Sequence, residues 1–228
     1  MNITLSKRLT ACLQAVKPYL VIADIGTDHG YLPCAGILNQ QLTRAIAADV
    51  ASGPLQAAQS QVDRYELQNT IETRLGSGLS ILQPGEVEAV VIAGMGGKLI
   101  VSLLQADMVL TRSFKRLVLQ PNIDAALVRE CLLQNQFELV SEVMVLEDEK
   151  FYEVIVAEPR KEKYDLDELD VAFGPFLRRE KSEVFVARWE KELHKNNSIL
   201  AQLEVNHPRA LEIQKRQVRL KEALGYEN

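Results

Sequence analysis

The chain has 228 residues, 47% of them apolar, a length and composition that suit one full α/β domain with a small appendage. Its formal net charge of −5 argues against a strongly basic nucleic-acid binder, although more than half of the 26 Lys and Arg residues lie after Pro159. Cys12, Cys34 and Cys131 are too few and too scattered for a disulfide framework or a CxxC zinc site, which points to a reducing compartment.

Helical and strand patterns alternate from the start. Leu5, Leu9, Leu13 and Val16 recur at helical spacing, with Thr4 or Ser6 as cap. Residues 20–25 form a short apolar run closed by an acid and a glycine, which predicts the first strand. A helix follows over residues 31–39, a second strand over 45–49, and a helix over 54–65 with Pro54 near its first turn. Residues 71–75 read as a third strand. Residues 87–93 read as a fully buried fourth strand, followed by the turn Gly94-Met95-Gly96-Gly97 and a helix starting near Leu99. Residues 116–120 predict a fifth strand, with a helix capped by Asp124 running to about residue 135. Residues 137–146 and 152–158 predict a closing antiparallel pair. The alternation implies an α/β fold, a doubly wound and mostly parallel sheet, over residues 1–160.

The pattern changes near Pro159. Residues 160–170 are highly charged and read as a linker. Two polar helical stretches follow, about residues 176–205 and 208–224, joined at Asn206-His207-Pro208. They predict a C-terminal, coiled-coil-like helical hairpin within residues 161–228. Residues 1–8 lack a signal-peptide core, and no apolar run approaches about 20 residues, so a cytoplasmic protein without a membrane span is expected.

The chemistry is concentrated in the turns after the strands. Asp24-Ile25-Gly26-Thr27-Asp28-His29-Gly30 differs from the G-x-G-x-x-G fingerprint that brings a pyrophosphate to a helix N-terminus. Asp28 in that turn would repel a diphosphate. Acids there suit S-adenosylmethionine (SAM), a zwitterion carrying a sulfonium, and Asp24 is placed to hold its amino group. Asp49, followed by Val50, ends the second strand, where an acid accepts hydrogen bonds from ribose hydroxyls. Gly76 and Ser77 follow the third strand, with Ser77 facing the adenine amino group. Ala93, Gly94 and Met95 follow the fourth, leaving bare backbone and an apolar wall beside the sulfonium and the substrate. Asn122 ends the fifth strand, as a reader of a base edge or a helix cap. His29, His194 and His207 are not at metal-ligand spacing, so no metal is expected.

Together the segments 5–9, 23–33, 92–97, 119–122, 151–153 and 173–175 resemble the bacterial tRNA (adenine-N1)-methyltransferases that act on adenosine-22. The resemblance implies a class I, Rossmann-like methyltransferase domain with a helical C-terminal extension, SAM as cofactor and tRNA as partner. No obligate protein partner is evident. It also implies that Asp24, Gly26, Gly30, Asp49, Gly76, Ser77, Ala93 and Met95 line the SAM site, joined by Thr27, Val50 and Gly94. Asp28, Tyr31, Gly94, Gly96 and Asn122 fall where such enzymes place the target base. Ser77 departs from the acid that the family often carries at that turn. A small-molecule methyltransferase and a non-catalytic RNA-binding module with a vestigial pocket are the alternatives on the same fold.

Overall fold

The computed structural model describes residues 3–162, 165–203 and 207–226. The chain divides into two compact units, residues 1–165 and 166–228.

In the first unit the strands are β1 (Val21–Ile25), β2 (Arg44–Asp49), β3 (Ile71–Leu75), β4 (Ala89–Gly96), β5 (Arg116–Ile123), β6 (Phe137–Glu147) and β7 (Lys150–Pro159). The helices are α1 (Lys7–Ala15), α2 (Tyr31–Leu38), α3 (Ser52–Arg64), α4 (Gly97–Ala106), α5 (Met108–Thr111) and α6 (Ala125–Gln134). One seven-stranded sheet has the order β3-β2-β1-β4-β5-β7-β6. β3 through β5 pair in parallel, and β7 is antiparallel to both β5 and β6. The expected doubly wound, mostly parallel sheet is present.

The central strands are short and apolar because both of their faces are covered. Ala45, Ile46, Ala47 and Val90, Val91, Ile92 are all fully buried. Helices α1, α2 and α3 supply Cys12, Leu13, Leu32, Cys34 and Val62 to one face. Helices α4 and α6 pack on each other and on β4, β5 and β7, burying Ile100, Leu104, Val128 and Leu132. Ser6 caps α1 by accepting from the Leu9 N–H, as the sequence suggested. Within the β6–β7 corner, buried Arg129 donates to Glu142 at 2.6 Å and to Glu153 at 2.5 Å. Two carboxylates thereby satisfy a guanidinium that could not otherwise leave water.

Three local expectations change. Strand β4 does not end at Ala93 but continues to Gly96, with register shifts around Met95 against β5. This is a bulge at Gly94, whose φ of +79° takes it out of the ladder. Asp124 does not cap α6 through its side chain; it adopts the left-handed conformation, φ 60°. The charged segment after Pro159 is not linker throughout, since α7 (Glu168–Phe173) begins within it, capped by Asp167.

The second unit also contains α8 (Pro175–Glu180), α9 (Glu183–Leu200) and α10 (Pro208–Leu224). The expected first long helix is therefore broken. Lys181 turns left-handed, φ 48°, and Ser182 starts α9 by accepting from the Phe185 N–H. Helices α9 and α10 run antiparallel: Gln217 donates to Asn197 at 2.5 Å, Arg216 pairs with Glu192 at 3.0 Å, and Tyr226 donates to Glu190 at 2.5 Å. Phe173, Phe185 and Trp189 form the aromatic centre, with Phe173 and Trp189 edge-to-face at 4.8 Å. Asn206 of the expected turn lies outside the described residues.

Candidate active site

The order of strands reverses at the centre of the sheet. From β1 the chain moves outward through β2 and β3, then returns to add β4 on the other side. At such a point the helices leave in opposite directions and open a crevice beyond the strand C-termini. A cavity of about 660 Å³ opens there, within the range for small-molecule sites. Its walls are the ends of β1, β2, β3 and β4, together with the chain around Ser6 and Arg8.

The β1–α2 turn is tied to β2. The N–H groups of Gly26 and Thr27 both donate to the Ala48 carbonyl, at 2.8 and 2.9 Å. Asp24 is 5% exposed and accepts from Thr27 Oγ1 at 2.7 Å. Burial raises the Asp24 pKa to about 6; the Thr27 bond opposes this, Asp49 reinforces it and Arg8 opposes it. Asp28 lies beyond, in a left-handed conformation with φ 54° and its side chain 69% exposed. The Asp28 N–H points to Asp49 Oδ2 at 3.4 Å, and the Ala51 N–H donates to Asp49 Oδ1 at 2.9 Å. Those two bonds leave the Asp49 carboxylate further lone pairs for a ligand. Gly76 donates to the Asp49 carbonyl at 3.0 Å, which brings the Ser77 turn alongside. Tyr31 and Val50 stand exposed on the cavity wall. Met95 lies over Gly26, where a Cβ would meet its methyl group at 2.3 Å. A side chain there would push that methyl group aside and strain a backbone held at φ 74°, which favours glycine.

Twelve of the fifteen residues singled out from the sequence line this one cavity. Gly30, Gly96 and Asn122 do not. Gly30 is buried, with φ 67°, and a Cβ on it would press on Ala58 of α3 at 3.2 Å, so it serves the packing of α2 on α3. Asn122 is exposed at the end of β5 and caps nothing; its Nδ2 donates to the Gly94 carbonyl at 2.8 Å. Two further residues were not singled out. Gln120 is fully buried, and its Oε1 accepts from the Gly94 N–H and from Arg8 Nη1, both at 3.0 Å. The Gly94 backbone is therefore not bare, as expected, but occupied by two side chains. A polar residue ending the run Leu117-Val118-Leu119 was the one available signal for Gln120.

These groups fit SAM. Acids stand at the ends of the two strands that would meet its cationic and ribose ends, and glycines let the backbone come close. Arg8 is the one basic side chain among the described lining residues, which is a poor match for a diphosphate. Among the described residues no group of three or more His, Cys, Asp or Glu side chains is arranged to hold a metal. No helix among them is long and apolar enough to cross a membrane.

A sheet in this order, with acids closing its first two strands above one crevice, defines a Rossmann-like SAM-dependent methyltransferase. Comparison narrows the class. The family model described as tRNA (adenine(22)-N(1))-methyltransferase, TrmK, matches residues 22–226. The chain is 40% identical over 235 residues to the Bacillus subtilis tRNA (adenine(22)-N(1))-methyltransferase, covering 99% of each. The crystal structure of Streptococcus pneumoniae Sp1610 superposes with a TM-score of 0.92 at 36% identity, covering 97% of this chain and 100% of that one. A second structure of Sp1610, in complex with S-adenosyl-L-methionine, has a TM-score of 0.88 at 35% identity, covering 97% and 100%. The chain belongs to the tRNA (adenine(22)-N(1))-methyltransferase family.

Proposed function

We propose that the chain transfers a methyl group from SAM to N1 of adenosine-22 in tRNA, using the cavity beyond β1, β2 and β4. The observation that carries this reading is the convergence of Asp24, Asp28 and Asp49 on one crevice with a single basic neighbour.

The cofactor supplies a methyl group activated on a positively charged sulfur. Asp24, ionised above pH about 6, holds the amino group of its methionine part. Asp49 accepts from the ribose hydroxyls, Val50 and the Gly76–Ser77 turn flank the adenine, and Met95 walls the sulfonium. Thr27 keeps Asp24 oriented through its 2.7 Å bond. Adenine N1 carries a lone pair at neutral pH, so no base is needed to create the nucleophile. The lone pair attacks the methyl carbon in line, the carbon–sulfur bond breaks, and its electron pair stays on sulfur. Positioning therefore supplies most of the acceleration. The methylated base becomes cationic, and the exposed Asp28 carboxylate offsets the charge that develops. Adenosine-22 must leave its stack to enter, and Tyr31, 42% exposed, offers a ring for it to stack on.

In this reading residues 1–160 bind SAM and residues 161–228 dock tRNA through their Lys and Arg side chains. The substrate places the enzyme in the cytoplasm, and the reaction calls for no metal and no obligate protein partner. The test is methyl transfer from labelled SAM to unmodified tRNA carrying either adenosine or guanosine at position 22. Label is expected only in the first, mapped to N1 of that base. Label at another position, or none, refutes the assignment.

A further inference from the structure

A chain of four hydrogen bonds starts at two residues of the cavity wall, Arg8 and Gly94, passes behind it through Gln120 and Asn122, and returns to the Gly94 carbonyl. Arg8 and the Gly94 N–H both donate to Gln120 Oε1, Gln120 Nε2 donates to Asn122 Oδ1 at 3.1 Å, and Asn122 Nδ2 donates to the Gly94 carbonyl. An amide side chain can usually be turned over, exchanging its oxygen and nitrogen. Here both ends of the chain forbid it. A guanidinium and a backbone N–H can only donate, so the oxygen of Gln120 must face them. Its nitrogen must then face Asn122, which has to present oxygen. The other end agrees independently, because the Gly94 carbonyl can only accept and so requires the nitrogen of Asn122. Gln120 is fully buried, and the Arg8 guanidinium lies 5.6 Å over the Tyr152 ring. The relay is therefore held by packing as well as by polarity.

We propose that Arg8 and Gln120 are positioning residues that fix the polarity of Asn122 so that it reads the target base as adenine. This rests on the functional reading above and specifies how that site chooses its base. Each atom of the Asn122 amide has one hydrogen bond made and one to give: a lone pair on Oδ1 and a proton on Nδ2. That pair complements the 6-amino group and N7 of adenine, and the contact leaves N1 free to react. Guanine presents O6 in place of the amino group, which sets oxygen against Oδ1. Arg8 enters this device through its Nη1, which donates to Gln120 and lies 3.3 Å from where a Cβ on Gly94 would stand.

The test compares wild type with Gln120→Glu and Arg8→Gln. Glutamate at 120 keeps the bonds from Arg8 and Gly94 but cannot donate to Asn122. Single-turnover methylation is measured on three tRNAs carrying adenosine, purine riboside (no 6-amino group) or 7-deazaadenosine (no N7) at position 22. SAM binding by calorimetry confirms that each variant is folded. Wild type is expected to favour adenosine over each analogue by about tenfold or more. In Gln120→Glu the adenosine rate should fall at least about tenfold, towards the analogue rates, and the preference should collapse. Arg8→Gln should shrink the preference in the same direction, and it decides the matter should Gln120→Glu fail to fold. If wild type methylates adenosine-22 but both folded variants keep the same ratios, the relay is structural and the inference is overturned. If wild type does not methylate adenosine-22, it is the functional reading that fails.

Discussion

Asp24 and Asp28 are four residues apart in sequence and opposite in environment. Asp24 is buried, and its burial raises the pKa to about 6 from 3.8. A raised carboxyl pKa means that the folded protein holds the proton more tightly than the unfolded chain does. The associated stability is fully present below pH 3.8 and is lost as pH rises through 6. At neutral pH the ionised group then costs on the order of 2–3 kcal/mol. Asp24→Asn should therefore raise the thermal midpoint at pH 7–8, with the gain vanishing below about pH 4. The same variant should weaken SAM by about tenfold or more, the loss of a charged hydrogen bond. Wild-type SAM affinity should decline as pH falls below 6, while the variant shows no such decline. Calorimetric titration across pH 5–8 checks both, and a variant that binds SAM like wild type removes Asp24 from the site. Asp28 is solvated, so Asp28→Asn should leave SAM affinity within about threefold. Its single-turnover rate should fall by roughly 10²–10⁴, the range for charge-stabilising groups. A near-normal rate would exclude that role.

At the scale of elements, the β4–α4 junction is shaped by its glycines in two different ways. Gly94 makes the bulge, whereas Gly97 lets α4 start directly beneath the β5 backbone. A Cβ on Gly97 would stand 2.4 Å from the Asp124 carbonyl oxygen and 2.9 Å from that of Ile123. Gly97→Ala should destabilise by about 1–3 kcal/mol, the range for forced overpacking. Gly53, in the first turn of α3, has nothing within 4 Å of its Cβ position. Gly53→Ala should instead stabilise slightly, by about 0.5–1 kcal/mol from helix propensity. Denaturant melts of the two variants should move in opposite directions, and a shared direction would show that the junction relaxes freely. Such details explain what the sequence left unread. Runs such as Ile22–Ile25 and Val90–Ile92 declare strands through local periodicity, and acids at their ends declare the carboxylates of the site. The bulge at Gly94 depends on Gln120 and Asn122, which approach from another strand. Arg8 meets Gln120 across more than a hundred residues of chain, so no window of sequence contains both. The glycine of the cofactor motif at position 30 was legible as a glycine that had to be there, but its reason, Ala58 of α3, was not. The break at Lys181 was missed because no proline or glycine marks it; Ser182 as a cap was the available cue.

For the molecule as a whole, the acidic average conceals how its basic residues are spent. In residues 166–228 several of them are engaged within that unit. Arg178 pairs with Asp170 at 2.5 Å and Asp167 at 3.0 Å, Arg216 with Glu192 at 3.0 Å, and Arg219 with Glu168 at 3.8 Å. These pairs hold α7 and α8 in register and set α9 against α10, but they are partly solvated and each contributes little. Arg179, Lys195 and Lys215 are exposed. If the unit docks tRNA, such side chains would exchange condensed counterions for phosphates, and affinity would fall as salt rises. Neutralising these three to Ala should weaken tRNA binding at low salt. It should also flatten the plot of log affinity against log salt by about 0.7–0.9 per lost phosphate contact. SAM affinity should stay within about threefold, because the cavity proposed for the cofactor is lined only by residues between 4 and 103. The ion-paired arginines provide the contrast: Arg178→Ala should lower the thermal midpoint more than the salt slope, since it removes a partner from two carboxylates. Filter binding across a salt series reads the slope and a thermal melt reads the midpoint, so together they separate the two effects. An unchanged slope in the triple variant would mean that these charges only solvate the helices, and that the phosphates are held elsewhere.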